Sequence, residues 1–327
     1  MPFILTFIIS SSYAICTLMI VVGKWKFSEL KFNTKKRYHW FFYATPILFI
    51  WFLFLAIFWP GVLSNDSMAL YGEALNGNFS NSQSIFYEYF LSILLELIQS
   101  PAFILGIQII LFALIISWGL SLLERYGVPR LVLWTISLLM AIFPPNMVFS
   151  VTLWKDIPYA FSLLLFSIFL LSIALSKGEW GIKKTNWIWL AFVGLLVGFF
   201  RHNGWPSSLL SLLLLPLIFK RYWKYFLGSL LIATFSYIVV EGILFNQIIA
   251  KNEPIDQSNL VYLHHIAAHI NAGTYLNKDE ETYLNEFLPL SDWNYYECYV
   301  GPVWKDRHFE RESFLNNTEK NRNLFLE

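Results

Sequence analysis

Long apolar runs dominate this sequence and restrict what it can fold into. A helix that crosses a membrane needs about 20 mostly apolar residues, and eight candidate runs occur within residues 1–245. The chain is 57% hydrophobic and only 14% charged, whereas soluble domains average about 45–50% apolar and about 25% charged residues. A soluble globular fold is therefore excluded. The runs are residues 2–22, 40–59, 101–123, 131–153, 157–175, 187–200, 207–219 and 225–245.

Basic residues concentrate in alternate connections between these runs. Of the 23 Lys and Arg residues, 14 lie in the four segments 23–39, 124–130, 176–186 and 220–224. Cytoplasmic connections carry such an excess of basic residues, so the N-terminus and the remaining connections are predicted to lie outside. This alternation requires the two short runs on either side of Arg201 to be separate crossings, and a single re-entrant pair is the alternative.

The predicted fold class is all-α: a polytopic membrane helical bundle of about eight crossings, with outer interfacial helices and a small helical C-terminal extracytoplasmic segment. The bundle takes residues 1–245 with a first outer loop at 60–100, and the polar segment takes residues 246–327. The first run is not a cleavable signal peptide, because charges follow it rather than precede it. We expect a multi-pass protein of the cell membrane. With a net charge of +1 and no basic block, nucleic acid is excluded as a partner.

The first outer loop carries two candidate acids. Ser64 or Asn65 can cap a short helix, which places Asp66 and Glu73 about two turns apart on one face. Both acids would then be presented on the outer side of the bundle. The structural alternative for Asp66 is a plain cap or a solvated surface acid.

This short helix is predicted to lie at the membrane surface. Met68 and Leu70 give it an apolar side. Segment 84–99 also mixes acids with apolar residues, with Glu88 and Glu96 among Phe, Tyr, Leu and Ile, and it is too polar for a lipid-exposed crossing. It is predicted to be a second interfacial helix.

A second outer element follows a break in the run 131–153. Pro144 and Pro145 interrupt this run, and broken helices at membrane depth are tolerated where they line a cavity or are buried in protein. Lys155 and Asp156 come next. The structural alternative is that Asp156 only complements the dipole at a helix start, or forms a local ion pair with Lys155.

A third outer element, Arg201-His202-Asn203-Gly204, separates the two short runs. Ionisable groups at membrane depth are costly and are functional by default, and Arg suits bidentate contact with phosphate. The alternative is an interfacial Arg that extends to lipid head groups. Two acids and two bases on one side suit a reaction on a phosphate-bearing lipid, in which the bases hold the phosphate and an acid deprotonates an acceptor.

The polar C-terminal segment is predicted to contain helices but no crossing. A helix over about residues 256–271 has apolar residues at three- and four-residue spacing. His265 and His269 within it are four residues apart, a spacing that can bind metal, but no acid completes a zinc-binding pattern and no metal is predicted. A second amphipathic helix is predicted over residues 278–288, with Asn277 as its cap.

The order of these motifs resembles a known family. Pro-Gly-x-x-x-x-Asp-Ser at 60–67 is followed by Trp-Lys-Asp-Ile-Pro-Tyr at 154–159, Arg-His-Asn-Gly at 201–204, His-His-Ile-Ala-Ala-His at 264–269 and Leu-x-Lys-Asp-Glu-Glu at 276–281. This order resembles uncharacterised multi-spanning bacterial membrane proteins related to the GT-C glycosyltransferases, over roughly residues 40–310.

The resemblance implies a membrane glycosyltransferase that takes its sugar from a polyprenyl-phosphate donor. Asp66 matches the essential acid of the first outer loop and would be the general base. Lys155 and Asp156 match the lysine–aspartate pair of a later outer loop. Arg201 and Asn203 match the Arg-x-Asn-Gly motif of the family, and Arg201 would contact the donor phosphate.

The predicted site residues therefore form two groups. The catalytic candidates are Asp66 and Asp156, and the substrate-binding candidates are Arg201, Lys155, His202, Asn203 and Glu73. The expected partners are membrane lipid, a polyprenyl-phosphate sugar, and a glycan, lipid or protein acceptor. No Gly-rich phosphate loop indicates a nucleotide. No cofactor is predicted, since the class allows a divalent metal but no ligand cluster in the sequence requires one.

The sequence also departs from the family pattern. Relatives carry a His-Pro shortly after the first-loop acid, where this chain has Asn-Ser-Gln-Ser at 81–84. Relatives also tend to have Gln and Arg in the tail helix, in place of His264, His265 and His269. They continue into further membrane helices, so this chain is expected to be a truncated form of the longer enzyme.

Two other functions stay open. A transporter or flippase for a lipid-linked precursor would also hold charges inside a bundle, although such proteins often show inverted repeats and none is found here. A degenerate, non-catalytic membrane protein is favoured by the missing His-Pro and by the early end of the chain.

Overall fold

The computed structural model describes residues 40–77, 79, 84–183, 185–249, 257–296, 301–304 and 306–326. These residues are helical and contain no β-strand, as the sequence predicts. The predicted first run and the basic segment 23–39 lie outside the described residues. The chain divides into two compact units, Met1–Asn76 with Phe86–Val239 and Gly77–Ile85 with Val240–Glu327.

Ten helices are named here for the first unit. They are α1 (Thr45–Ile57), α2 (Asn65–Asn76), α3 (Ile85–Leu97), α4 (Pro101–Arg125), α5 (Arg130–Ile142), α6 (Pro144–Ser150), α7 (Asp156–Leu175), α8 (Asn186–Phe200), α9 (Trp205–Ile218) and α10 (Trp223–Tyr237). Short turns of helix at Trp40–Ala44, Glu179–Ile182, His202–Gly204 and Lys220–Tyr222 connect or extend them.

Among the described residues, three helices are long and apolar enough to cross a membrane, and they occupy Pro101–Arg125, Asp156–Leu175 and Lys220–Phe245. The consecutive helices α5 and α6 pass the same test together and meet at an angle of 62°. Shorter apolar helices occupy Phe41–Ile57, Asn186–Phe200 and Trp205–Ile218.

The first of the shorter helices, α1, is apolar on every side. Ile47, Trp51 and Leu55 face the core at four-residue spacing and are buried, and the Trp51 indole donates a hydrogen bond to the carbonyl oxygen of Ala141 at 3.0 Å. The opposite face is also apolar, with Phe49 largely exposed. A helix that is hydrophobic all round suits the interior of a large protein or a membrane.

The proline pair breaks the fourth run as predicted. Pro144 begins α6 after Phe143 adopts an extended conformation, so the backbone ladder stops at the end of α5. The Asn146 side-chain amide donates to the carbonyl oxygen of Met140 at 3.0 Å. This contact satisfies a carbonyl that the break deprives of its helical donor.

Helices α8, α9 and α10 pack against one another, and α8 also packs against α7. Trp205 at the start of α9 stacks on Tyr237 at the end of α10, with ring centroids 4.1 Å apart and an interplanar angle of 1°. Gly198 lies against both rings, and a Cβ there would approach each to about 3 Å. Glycine at this position therefore permits the close packing of the three helices.

The second unit has its own hydrophobic core. A π-helical segment, Ile238–Ile249, continues the helix that α10 begins. Buried apolar residues between Leu263 and Phe314 form one cluster. The longer helices described in this unit are α11 (Gln257–Asn271), α12 (Lys278–Asn285), α13 (Arg311–Asn316) and α14 (Thr318–Leu326), and short helical turns occur at Leu290–Asp292 and Gly301–Trp304.

Asn277 caps α12 as predicted. Its Oδ1 accepts hydrogen bonds from the backbone N–H groups of Asp279 and Glu280 at 3.0 and 2.9 Å. The Glu280 carboxylate accepts from the Asn277 N–H at 2.8 Å, which completes a capping box. On the same helix, burial followed by the charge of Glu286 raises the pKa of Tyr283 to about 12.

Candidate functional site

A single β-bridge joins two loops that are far apart in the sequence. The Val62 N–H donates to the carbonyl oxygen of Val151 at 2.8 Å, and the Leu153 N–H donates to the carbonyl oxygen of Val62 at 3.0 Å. Gly61 adopts a φ of +121°, and a Cβ there would clash with the Leu105 side chain. The bridge fixes the loop that precedes Asp66 beside the loop that precedes Lys155.

Gln108 of α4 supports the same loop from within the bundle. Its side-chain amide lies 3.3, 3.2 and 3.3 Å from the carbonyl oxygens of Phe149, Ser150 and Thr152. Phe149 and Ser150 are the last two residues of α6, and Thr152 belongs to the bridge. The buried amide therefore satisfies backbone acceptors that have no continuing helix to pair with.

Ser64 caps α2, one of the two caps that the sequence allowed. Its hydroxyl accepts a hydrogen bond from the Ser67 N–H at 3.2 Å. Leu70 and Ala74 of α2 are buried. Ser67, Leu70 and Ala74 form the buried side of α2, whereas Met68 is 53% exposed on another side of the helix. The predicted location of this helix at the membrane surface stays a prediction.

Asp66 lies in the first turn of α2, and its side chain is exposed. Glu73 is seven residues further along, which corresponds to about 10 Å along the helix axis, and it is half-buried. A carboxylate in a first turn is favoured by the helix dipole and stays accessible to a ligand. Asp66 is therefore an accessible acid on an ordered helix.

Asp156 begins α7, as predicted, and pairs with Arg201. Arg201 Nη1 donates to Asp156 Oδ1 at 2.8 Å, and its guanidinium also lies 5.8 Å from the centre of the Tyr159 ring. Arg201 is extended at the end of α8, where the helical hydrogen bonding stops. A Cβ on Gly204 would clash with the Val197 carbonyl oxygen and the Tyr159 ring, so glycine lets this turn approach α7.

Lys155 is half-buried and lies within electrostatic range of four other charged residues. Burial lowers the pKa of its ammonium, and the neighbouring charge of Arg201 lowers it further, whereas the charges of Asp156, Asp66 and Glu88 raise it. Such effects require charges at close range. The structure thus brings Asp66, Lys155, Asp156 and Arg201 into one charged cluster.

Glu88 is the member of this cluster that sequence reasoning missed. It lies on α3 and is fully buried, with 0% exposure, among the buried residues Tyr87, Leu91 and Leu95. The signal was present, since an acid in the apolar face of a helix is costly to bury. From the sequence alone, that acid indicates only an interfacial helix.

Three other predicted site residues complete the set. Glu73 is half-buried on α2, and Asn203 is exposed in the turn His202–Gly204 that follows Arg201. The side chain of His202 lies outside the described part of the structure. Four of the seven predicted residues, together with Glu88, are linked through their charges to Lys155, and we call these five residues the charged cluster from here on.

An apolar cavity of about 380 Å³ lies between α3, α4, α7 and α8. Pro158, Phe200 and Tyr87 line it, and each is one or two residues from a member of the charged cluster. The lining continues along α8 to Phe192 and along α7 to Leu165, which corresponds to about 10–12 Å of helix. The charged cluster therefore lies near one end of an elongated apolar cavity.

The site is interpreted from its own residues. Protein-family models, curated proteins and solved structures gave no match to the chain. Within the ranges that the structure describes, no group of three or more His, Cys, Asp or Glu side chains is arranged to hold a metal ion. The chemistry that the described side chains offer is that of carboxylates beside an ammonium and a guanidinium group.

Proposed function

We propose that this chain is a membrane glycosyltransferase of the GT-C type, which transfers a sugar from a polyprenyl-phosphate donor to an extracytoplasmic acceptor. The observation that carries the proposal is the position of the charged cluster near one end of the apolar cavity. A lipid phosphate has the same two parts, an apolar chain and an anionic head. Ligand sites commonly combine apolar walls with a few convergent polar groups.

Arg201 and Lys155 are suited to hold the donor phosphate. A guanidinium offers a planar fork of donors to phosphate oxygens, and an ammonium adds a compact positive charge. As the bond from the sugar to the phosphate breaks, negative charge grows on the leaving phosphate, and cations in fixed positions stabilise it. The half-buried environment of Lys155 strengthens this interaction relative to water.

Asp66 is the general base of the proposed reaction. Its exposed carboxylate can accept the proton of an acceptor hydroxyl while the oxygen attacks the anomeric carbon. The bond to the phosphate breaks in the same inverting displacement. Asp156 was predicted as a second catalytic acid, and its ion pair with Arg201 favours the role of a positioning residue that aims the guanidinium.

The proposed topology has about eight crossings, with the charged cluster and the C-terminal segment outside. Three long helices, one bent pair and three shorter apolar helices correspond to seven of the eight predicted runs. The eighth lies in residues 2–22, outside the described part of the chain. The alternating basic connections support the proposed orientation.

Transfer in liposomes tests this function. A panel of polyprenyl-phosphate sugars is offered to the wild type, to Asp66→Asn and to Glu96→Gln, an exposed acid on α3 outside the cluster. We expect Asp66→Asn to lose about 10²–10⁴-fold in turnover, the range for loss of a general base, and Glu96→Gln to retain wild-type turnover. Equal turnover by all three proteins would remove Asp66 from the mechanism.

A flippase for a lipid-linked precursor is the second candidate. The 62° bend between α5 and α6 favours it, since transporters use broken helices at membrane depth. The same liposomes separate the two functions when the donor carries a fluorescent label. Movement of the labelled lipid between leaflets without sugar transfer would support the flippase and contradict the transferase.

A further inference from the structure

Tyr275 is an exposed aromatic residue in the connection between α11 and α12 of the second unit. Its side chain is 88% exposed, although the residue after it, Leu276, packs against the core of the unit. Single exposed apolar residues are common on protein surfaces, so this ring is informative only together with the pocket and the polar side chains beside it.

The backbone on both sides of Tyr275 is fixed. On one side, the Thr274 N–H donates to the carbonyl oxygen of His269 at 3.1 Å, and the Thr274 hydroxyl lies 3.3 Å from His269 Nδ1. On the other side, Asn277 forms the capping box of α12. The ring is thus presented from an ordered connection, and binding a ligand costs little conformational entropy there.

Tyr275 forms one wall of a pocket of about 160 Å³. Hydrogen-bonding side chains of His265, His269, Thr274 and Glu280 line the same pocket. Drug-sized ligands occupy pockets of about 300–1,000 Å³, so this one accepts a single small ring. It has no room for a helix or a strand of a protein partner.

We propose that this pocket binds one pyranose ring of a neutral glycan. A pyranose has an apolar C–H face, which can lie on the Tyr275 ring, and a rim of hydroxyl groups, which can pair with imidazole nitrogens and the Thr274 hydroxyl. The Glu280 carboxylate in the wall disfavours acidic sugars by charge repulsion. This inference rests on the proposed transferase function, because it makes the acceptor a glycan. The binding of the sugar is nevertheless measured in an experiment that involves no transfer.

The test is saturation-transfer NMR on the full chain in lipid nanodiscs. The probes are methyl glycosides of glucose, galactose, mannose and N-acetylglucosamine, with methyl glucuronide as the acidic comparison. We expect saturable binding of at least one neutral glycoside and at least fivefold weaker binding of the glucuronide. Tyr275→Ala should raise the Kd about tenfold, which corresponds to about 1.4 kcal/mol, because the apolar contact with the aromatic face is lost. Tyr275→Phe keeps that face and should stay within about twofold of the wild type.

Tyr296→Ala is the matched control, since Tyr296 is a second exposed tyrosine of the same unit, at 61% exposure, outside the pocket. Its Kd should equal that of the wild type. The inference is overturned if no neutral glycoside shows saturable binding to the wild type, or if Tyr275→Ala binds the glycoside as tightly as the wild type. It is also overturned if Tyr296→Ala loses as much affinity as Tyr275→Ala. Intact glycoside binding with no sugar transfer would contradict the proposed function alone, and transfer without glycoside binding would contradict this inference alone.

Discussion

Arg201 and Asp156 form an ion pair of 2.8 Å that joins the end of α8 to the beginning of α7. Their side chains are 44% and 25% exposed, and exposed pairs contribute only about 0.2–1 kcal/mol to stability. The ion pair therefore contributes more to the orientation of the Arg201 side chain than to the stability of the fold. It fixes the Arg201 guanidinium against Asp156, the residue next to Lys155 in the chain, and the proposed function has both cations bind one phosphate.

The first prediction concerns this ion pair. Arg201→Lys should lower kcat/KM for sugar transfer by about 10²-fold, because an ammonium cannot reproduce the donor fork that stabilises the leaving phosphate. Asp156→Asn should cost about tenfold, since it only loosens the guanidinium. Transfer rates at saturating and limiting donor concentrations give both values.

A double variant provides the control for that prediction. If Asp156 acts through Arg201, then adding Asp156→Asn to Arg201→Lys should cost little more than Arg201→Lys alone. Thermal unfolding should shift by no more than the small contribution of an exposed pair. Fully additive losses in kcat/KM would contradict the positioning role of Asp156.

The second prediction concerns the pKa of Lys155. Burial lowers this pKa below the usual 10.5, and the charges of Asp66 and Glu88 oppose the decrease. Glu88→Gln removes a negative charge, so it should lower the pKa of Lys155 further. NMR titration of ¹³C-methylated lysines gives the pKa, and the Lys155 signal is the one missing in Lys155→Arg.

The sign of the pH dependence follows from the same shift. Donor binding that needs a charged Lys155 should weaken as the pH rises through the lowered pKa, and in Glu88→Gln it should weaken at lower pH than in the wild type. Glu96→Gln should leave the titration unchanged, since Glu96 is exposed and makes no contribution to the Lys155 shift. An unchanged or higher pKa of Lys155 in Glu88→Gln would contradict the stated effect of the Glu88 charge.

Local features of the fold could be predicted from the sequence, because their determinants are neighbours in the chain. Asn277 caps its helix, Pro144 breaks the fourth run and Asp156 begins α7, each as predicted. The bridge at Val62 and the Gln108 contacts were not predicted. They join residues 41 to 91 positions apart, and neither periodicity nor a local motif reports such pairings.

In the candidate site, too, the local features were predicted and the long-range contacts were not. The outer acids and bases were found one at a time, from their position between apolar runs. What joins them is contact between distant segments, namely the bridge at Val62 and the Arg201–Asp156 ion pair. The burial of Glu88 likewise depends on other segments, since its neighbours Phe86 and Phe90 pack against Phe200 at the end of α8, so it could not be read from its own segment.

The third prediction concerns Gly204. A Cβ at this position would clash with the Val197 carbonyl oxygen and lie 2.6 Å from the Tyr159 ring, so Gly204→Ala should destabilise the fold by about 1–3 kcal/mol, as overpacking does. It should also reduce transfer by displacing Arg201. Gly72→Ala on α2 is the matched control, because a Cβ there meets nothing within 4 Å.

Unfolding in detergent micelles measures both glycine variants. Gly72→Ala should be neutral or stabilising by about 0.5–1 kcal/mol, since alanine favours the helix. Equal stability of the two variants would contradict the close approach of the His202–Gly204 turn to α7.

The fourth prediction concerns Gln108. Gln108→Leu keeps the side chain buried but removes the donor to the carbonyls of Phe149, Ser150 and Thr152. Leaving buried acceptors unsatisfied costs about 1–3 kcal/mol. Amide hydrogen exchange should quicken at Val62 and Leu153, whose bridge depends on that loop, whereas Gln99→Leu at an exposed position should leave exchange at both amides unchanged.

The last prediction concerns the apolar cavity. Leu196 lines it, and Leu196→Trp would fill part of its volume of about 380 Å³, so the variant should raise KM for long-chain polyprenyl-phosphate sugars about tenfold. Donors whose lipid is cut to one or two prenyl units should be affected much less, because they do not extend along the cavity. Leu210→Trp is the control, since Leu210 is exposed on α9 and does not line the cavity. Equal KM increases for long and short donors would show that the lipid chain of the donor lies elsewhere.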